Sequence, residues 1–472
     1  MKNKYLKAGF GYTIGNYLLK GLSFLTMPIF ARLLTTAEYG EYGTFLSYEG
    51  MLFVVIGFAI HSSYKNAYYR YSNGEDASGY QSYVSSSMLL ILGSTVGWLI
   101  ISLAFNQGLS NLLGIAGLYL PFLVLYSFSS AVINCFNTDI SIRYEYGKFL
   151  LVSFVNAIGS ILLSLVLILY VWRDNRCFGR ILGCTIPYTL IACILMLTYL
   201  RKARPRDMKT QLGWGLRYSL PVIPHGLSQI VLNQFDRIMI LRMVDRMSAG
   251  IYTFSYNVYL IMTVTATSVD NVWSPWFYER RSRDDYGSIK KMSGYYLLFL
   301  MTICFFLTQM SPELIWILGG SKYRESVYCV IPIVTAGFFA FAYNIPAAAE
   351  YYHEKTGNIA FATTAAALIN IGLNYIFIKR YGYIAAAYTT LVTYILYFAF
   401  HLLMSYHIEK RMLFHGKVIL GASVLVLANN ILVIRLVPYV IVRYAIILLF
   451  GLAAIYYEEK NMGLIRRRLH RK

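Results

Sequence analysis

The chain has 472 residues, of which 57% are hydrophobic, 16% aromatic and only 14% charged. A soluble domain carries about 45–50% apolar and about 25% charged residues. A soluble single-core enzyme is therefore excluded, and so is a disordered chain, which requires low hydrophobicity. Lys and Arg number 42 against 22 Asp and Glu, a net charge of +20. In so apolar a chain that excess belongs to loops on the cytoplasmic side of a membrane, not to a nucleic-acid surface.

The start, Met1-Lys2-Asn3-Lys4, resembles the charged region of a signal peptide. The apolar run behind it is far longer and has no small-residue cleavage pattern, so it reads as a retained first helix. About 20 apolar residues span the hydrocarbon, which gives about fourteen predicted spans: 8–33, 41–63, 83–105, 115–136, 149–171, 177–200, 214–241, 249–276, 294–316, 327–352, 358–378, 383–407, 416–434 and 438–457. The loops between them are short. With the N-terminus inside, basic residues concentrate on inner segments: Arg201, Lys202, Arg204, Arg206 and Lys209; Arg280, Arg281, Arg283, Lys290 and Lys291; and Lys460, Arg466, Arg467, Arg468, Arg471 and Lys472. The positive-inside rule then places both termini in the cytoplasm.

The chain repeats itself. Arg32 and Arg242, Gly40 and Gly250, Tyr42 and Tyr252, and Gly147 and Gly357 are each 210 positions apart. Spans 1–6 and 7–12 read as equivalent halves in parallel orientation, with a substrate site expected between them. The predicted organisation is an all-α polytopic membrane protein. It has an N-lobe over 1–200, a cytoplasmic linker over 201–213, a C-lobe over 214–407, and two further helices with a basic tail over 408–472.

Polar residues inside spans mark the candidate site, because a charge at helix centre costs about 2.5–3.5 kcal/mol on insertion scales. Thr13, Asn16, Lys20 and Ser23 share one sector of span 1. Lys20 is read either as a partner of Glu49 or as a cation facing an anionic substrate. In span 7, His225, Gln229, Asn233 and Asp236 recur on one face, with Arg237 beside them and Pro221 and Pro224 expected to kink the helix. An Asp236–Arg237 ion pair is expected there. Span 8 carries Tyr252, Tyr256, Tyr259, Thr263, Thr267, Asp270 and Ser274 on one face, read as the wall of a water-filled path. Glu350 of span 10 completes the carboxylates inside spans, and Asp270 with Glu350 is expected to form a repelling pair. Asn370 and Asn374 of span 11 and His401 of span 12 read as helix-to-helix glue. Arg443 of span 14 is expected to pair locally or to snorkel.

Catalytic signatures are missing. No Walker A loop, G-x-S-x-G elbow, GxGxxG or metal-spaced cluster occurs, and the 6 Cys and 7 His form no CxxC or HExxH. No cofactor, no metal and no enzymatic activity are expected.

The run Gly15-Asn16-Tyr17-Leu18-Leu19-Lys20-Gly21-Leu22-Ser23-Phe24, with Pro28, Arg32-Leu33-Leu34 and Glu38-Tyr39-Gly40-Glu41-Tyr42, resembles the opening of Wzx-type polysaccharide-unit flippases of the multidrug/oligosaccharidyl-lipid/polysaccharide superfamily. Asn233-Gln234-Phe235-Asp236-Arg237-Ile238-Met239-Ile240 with Gly250-Ile251-Tyr252 resembles that family's second-half opening. The resemblance implies two six-helix lobes plus two helices and alternating access around a cavity in a bacterial inner membrane. It also implies a polyprenyl-pyrophosphate-linked oligosaccharide as the partner, moved to the outer leaflet for O-antigen or capsule synthesis. From the residues and the resemblance together, the candidate substrate-binding set is Lys20, Asn16, Arg32, Arg237, Tyr256, Tyr259 and Asn233. The candidate ion carriers are Asp270, Glu350, Glu49 and Asp236, for a proton or sodium ion. Polysaccharide polymerase machinery is a candidate partner. Two alternatives stand beside this reading: a cation-coupled multidrug exporter of the same superfamily, and a membrane glycosyltransferase or polymerase, for which the loops are short.

Overall fold

The computed structural model describes residues 2–72 and 77–452. The rest of the predicted last span and the basic tail from 458 lie outside the described residues. Among the described residues all regular structure is helical, as lipid requires, because a helix satisfies its backbone polar groups within one segment. Among the described residues nine helices are long and apolar enough to cross a membrane, ten if the bent pair Thr36–Gly57 and Ile60–Tyr71 forms one span. Every predicted span overlaps helix in its described residues, some of them in two pieces, but the helices Lys2–Leu33, Ile223–Met243, Arg246–Ser282 and Val440–Leu452 fall short of that length-and-hydropathy criterion.

The chain forms two compact units, 1–257 with 357–389, and 258–356 with 390–472. The first holds α1 (Lys2–Leu33), α2 (Thr36–Gly57), α3 (Tyr64–Tyr71), α4 (Ser78–Ala104), α5 (Asn106–Leu113), α6 (Leu120–Ile142), α7 (Tyr146–Val166), α8 (Arg176–Lys202), α9 (Met208–Ser219), α10 (Ile223–Met243), the start of α11 (Arg246–Ser282), most of α16 (Thr356–Tyr381) and the first residues of α17 (Ile384–Glu409). The second holds the rest of α11 and α17, with α12 (Tyr286–Gln309), α13 (Ser311–Gly319), α14 (Val327–Ala342), α15 (Asn344–Tyr352), α18 (Gly416–Leu436) and α19 (Val440–Leu452).

Local chemistry explains the breaks. Thr35 and Glu38 form a capping box at the start of α2: the Glu38 amide donates to the Thr35 hydroxyl at 3.2 Å, and the Thr35 amide donates to Glu38 at 2.8 Å. Glu38 also accepts from the Arg176 amide at 3.0 Å, and the Arg176 guanidinium donates to the Leu33 carbonyl at 2.8 Å. The end of α1 and the beginnings of α2 and α8 are thereby tied together. Pro221 lies in a one-turn break between α9 and α10, and Pro224 in the first turn of α10, where a missing N–H costs nothing. The predicted span 7 is thus two helices. The predicted linker 201–213 is mostly helical, with only 203–207 left between α8 and α9.

The 210-residue offset has a physical counterpart. A Cβ on Gly40 would overlap the Arg246 carbonyl, and a Cβ on Gly250 would overlap the Thr36 carbonyl. Residues 36 and 246 are themselves 210 apart, so α2 and α11 cross through reciprocal contacts of equivalent residues. Gly43 meets Thr253, its own equivalent, in the same crossing. Only glycine admits so close a backbone approach.

Gly40→Val and Gly250→Val are each expected to destabilise the purified protein by about 1–3 kcal/mol through overpacking, read as a lowered Tm in detergent. Gly147 and Gly357 face open space, so Gly147→Ala and Gly357→Ala should leave Tm unchanged or slightly raised.

Candidate functional site

In the first unit, Lys20 lies half-buried on α1 and forms no ion pair among the described residues. The expected Lys20–Glu49 pair is not made. Glu49 instead accepts a hydrogen bond from Ser130 of α6, because the two face each other where α2 packs on α6. The side chains of Thr13, Asn16 and His225 lie outside the described residues. Arg32 is exposed at the end of α1, and Asn233 is exposed on α10, where its amide donates back to the Gln229 carbonyl at 2.7 Å.

The expected Asp236–Arg237 pair is also absent. Consecutive helical residues point about 100° apart, and here that rotation sends them to different surroundings. Asp236, 1% exposed, accepts from the Tyr252 hydroxyl at 2.6 Å and from the Asn374 amide at 2.6 Å. Asn374 also donates to Asn370 at 3.0 Å and accepts from Thr389. Asn370, Asn374 and Tyr252 thus serve one buried carboxylate, and Tyr252 is not part of a water-lined wall. Arg237 lies over the Tyr256 ring, 4.5 Å from its centroid, and its Nε is buried without a hydrogen-bond partner.

Two features of this unit escaped the sequence reading. The first is Arg180, four residues into α8. Its guanidinium lies 3.6 Å from the Phe30 ring centroid and 5.2 Å from that of Tyr42, and donates to the Ser164 hydroxyl at 2.8 Å. Its Nε is likewise buried and unpartnered, and no carboxylate pairs with it among the described residues. The second is Asp139. Helix α6 runs to Ile142, beyond the predicted end at 136, which brings Asp139 inside at 3% exposure. It accepts from Tyr80 at 3.0 Å, Tyr199 at 2.8 Å and Arg143 at 3.1 Å. Glu49 is therefore not alone among carboxylates of the early spans. A run of Tyr at 64, 68, 71, 80, 83 and 199 would have signalled a polar guest among the rings.

In the second unit Asp270 and Glu350 are not matched as a repelling pair. Asp270 accepts from Tyr296 and from Asn344, the latter at 2.6 Å. Glu350, fully buried, is hydrogen-bonded to His401, over which the Tyr343 ring stacks at 5.3 Å. His401 therefore serves a carboxylate and is not merely packing glue. Tyr259 is half-buried, and Thr263 and Thr267 donate back to carbonyls of their own helix. Arg443, 1% exposed, meets Glu313 through two bonds of 2.9 and 2.6 Å, which anchors α19 beside α13. Glu409 accepts from Arg281 at 2.9 Å and from His353 at 2.9 Å. Among the described residues no group of three His, Cys, Asp or Glu is placed to hold a metal.

Asp236→Ala strips the acceptor from two buried donors. An unmet buried partner costs about 1–3 kcal/mol, so the variant should melt well below wild type. Tyr252→Phe, which removes one donor and leaves Asn374 in place, should cost less. Thermal melts of the purified variants compare the two.

Comparison with known proteins gives consistent matches. The pattern of the family described as "Polysaccharide biosynthesis protein" matches residues 5–281. Protein 1 of the Lsg locus of Haemophilus influenzae is 20% identical over 344 residues, 70% of this chain and 81% of that protein. The structure of the lipid II flippase MurJ in an inward closed conformation aligns over 95% of this chain and 99% of its own, with TM-score 0.71 and 18% identity. An inward-facing MATE multidrug resistance transporter of the MOP superfamily aligns over 87% of this chain and 96% of its own, with TM-score 0.58 and 13% identity. The fold is therefore that of this transporter superfamily, and the chain is a multi-pass membrane protein.

Proposed function

The chain belongs to the polysaccharide biosynthesis protein family, and from that premise we propose that it is a flippase for a polyprenyl-pyrophosphate-linked oligosaccharide. The observation that carries the reading is the pairing state of the first unit's charges. Lys20, Arg180 and Arg237 have no carboxylate partner among the described residues, while Asp139 and Glu41 are ion-paired and Glu49 and Asp236 are hydrogen-bonded by neutral donors. A transporter for cationic drugs needs the reverse arrangement, an unmatched carboxylate. The substrate's pyrophosphate suits unmatched cations, and its glycan suits the Tyr256 and Tyr259 rings, which offer a flat apolar face and a hydroxyl.

The proposed path runs from the cytoplasmic to the outer leaflet of a bacterial inner membrane, by alternating access, with both termini in the cytoplasm and the repeat of spans 1–6 in 7–12 supplying the two lobes. Lys20 attracts the pyrophosphate at mid-span. Asn16, Arg32 and Asn233 are the further substrate-facing residues proposed. Return of the empty carrier is coupled to a proton or sodium ion, since one charge moved across 100 mV supplies about 2.3 kcal/mol. Asp270 and Glu350 are the proposed carriers, ahead of Glu49 and Asp236.

Proteoliposomes test the reading directly. A fluorescent lipid-linked oligosaccharide should cross and a cationic dye should not; the opposite result makes the chain a drug exporter. Lys20→Ala should abolish oligosaccharide transport with folded protein present, and Lys20→Arg should restore part of it. Imposed proton or sodium gradients should change the rate, and Asp270→Asn with Glu350→Gln should remove that dependence. Equal rates under every gradient would eliminate the coupling.

A further inference from the structure

The turns that end α6 and α15 are one turn used twice. Tyr144 and Glu354, 210 positions apart, each take a positive φ, 61° and 57°. The Glu145 amide donates back to the Ile140 carbonyl at 3.0 Å, and the Lys355 amide to the Glu350 carbonyl at 2.8 Å. Arg143 and His353 hold the matching place one residue before the positive φ. Tyr199 in the last turn of α8 and Glu409 in that of α17 are likewise 210 apart. Each turn docks on one buried carboxylate, but the two carboxylates come from different helices. In the first unit it is Asp139 of α6, which accepts from Arg143 at 3.1 Å and from Tyr199 at 2.8 Å. In the second unit position 349 is Ala, and the carboxylate is Glu409 itself. It accepts from the Arg281 Nε at 2.9 and 3.1 Å and lies 2.9 Å from the His353 Nε2.

The first unit thus holds its turn with a guanidinium, which stays charged at every physiological pH. The second holds the same turn with an imidazole, which changes charge between pH 5 and 8. The Glu409 side chain is 1% exposed and that of His353 31%, so the imidazole exchanges protons with water while the carboxylate stays covered. The contact joins three connections of the second unit: 283–285 after Arg281, 353–355 at His353, and 410–415 after Glu409. Other charged and titratable groups face the cluster from each side. Arg281 donates to Asp284 at 2.6 Å and lies over the Tyr286 and Tyr352 rings, Arg411 lies 4.4 Å from the Tyr286 centroid, and the Tyr352 ring meets His353 edge-on at 5.2 Å. Glu354, Lys355, Lys410 and His415 are exposed. With a neutral imidazole, Arg281 alone matches the Glu409 charge within the trio. A proton on His353 turns its hydrogen bond into a second ion pair. That pair is present at acid pH and is lost as the pH rises through the titration of the imidazole.

From this geometry we infer that His353, Glu409 and Arg281 form a pH-sensitive latch in the second unit, which ties the ends of α11, α15 and α17 together more tightly when His353 is protonated. The inference goes beyond the flippase reading and stands whatever the chain carries. In the proposed orientation these helix ends face the cytoplasm, so the latch answers to the pH inside the cell. The first unit, with Arg143 in the matching place, keeps its turn tied at every pH, and the asymmetry confines the switch to one unit.

Amide hydrogen exchange of the purified full chain in detergent tests the latch. It is read at 283–285 and 410–415, away from the substituted residue, and variants are compared at one pH so that intrinsic exchange rates cancel. At pH 6 these amides should be about fivefold better protected in wild type than in His353→Gln, the upper end of what a partly exposed ion pair contributes. At pH 8 the two proteins should agree within about twofold, since neutral His353 and Gln both only donate a hydrogen bond. His353→Arg, which copies the cation of the first unit, should exceed His353→Gln by about fivefold at both pH values. His415→Gln, in the same connection but exposed, should keep the wild-type pH response. An equal difference between wild type and His353→Gln at pH 6 and pH 8 would make the contact a fixed structural bond and overturn the switch. No difference at either pH would overturn the latch itself. Should His353→Gln not fold, wild type against His353→Arg decides: the two should match at pH 6 and separate about fivefold at pH 8, and a match at both overturns the proposal.

Discussion

The close crossing of α2 and α11 sets the geometry on which the first unit depends. Gly40 and Gly250 let the two backbones approach until the Arg246 carbonyl occupies the space of a Cβ on Gly40 and the Thr36 carbonyl that of a Cβ on Gly250. In lipid, where apolar side chains gain little by leaving their surroundings, such backbone proximity is a main source of helix association. The contact is reciprocal, with Thr36 and Arg246 in matching roles. It also brings Tyr39 against Asn257 and sets Glu41 against Arg246.

What the sequence made legible was whatever depends on length and local period. Runs of about 20 apolar residues located every helix that contains a predicted span, and the 210-residue offset pointed to Gly40 and Gly250 before their contact was visible. What it concealed depends on partners distant in the chain. Arg180 escaped notice, because Phe30, Tyr42 and Ser164 are brought to it only by folding. Glu49 looked like a partner for Lys20 because it was the nearest carboxylate in sequence, but α6 supplies Ser130 instead. Asp236 and Arg237, adjacent in the chain, point away from each other. Asp139 was missed for a simpler reason: the helix continues past the last strongly apolar residue, and two tyrosines and an arginine accommodate the charge. His401 and Glu350 are 51 positions apart, and no periodicity within either helix connects them.

One consistent pattern emerges from the charges. The acidic groups inside the first unit are met by hydroxyls, amides or cations, while Lys20, Arg180 and Arg237 have no carboxylate partner among the described residues. Unmatched buried charge is costly, and it persists where function supplies the partner intermittently. The family is that of polysaccharide biosynthesis proteins, and the fold is one that solved membrane transporters share.

The most direct test is a cryo-electron microscopy structure of the full chain with a polyprenyl diphosphate bound. The account predicts phosphate density within reach of the Lys20 ammonium. Density for the diphosphate elsewhere, with Lys20 still lacking an anionic partner, would contradict it.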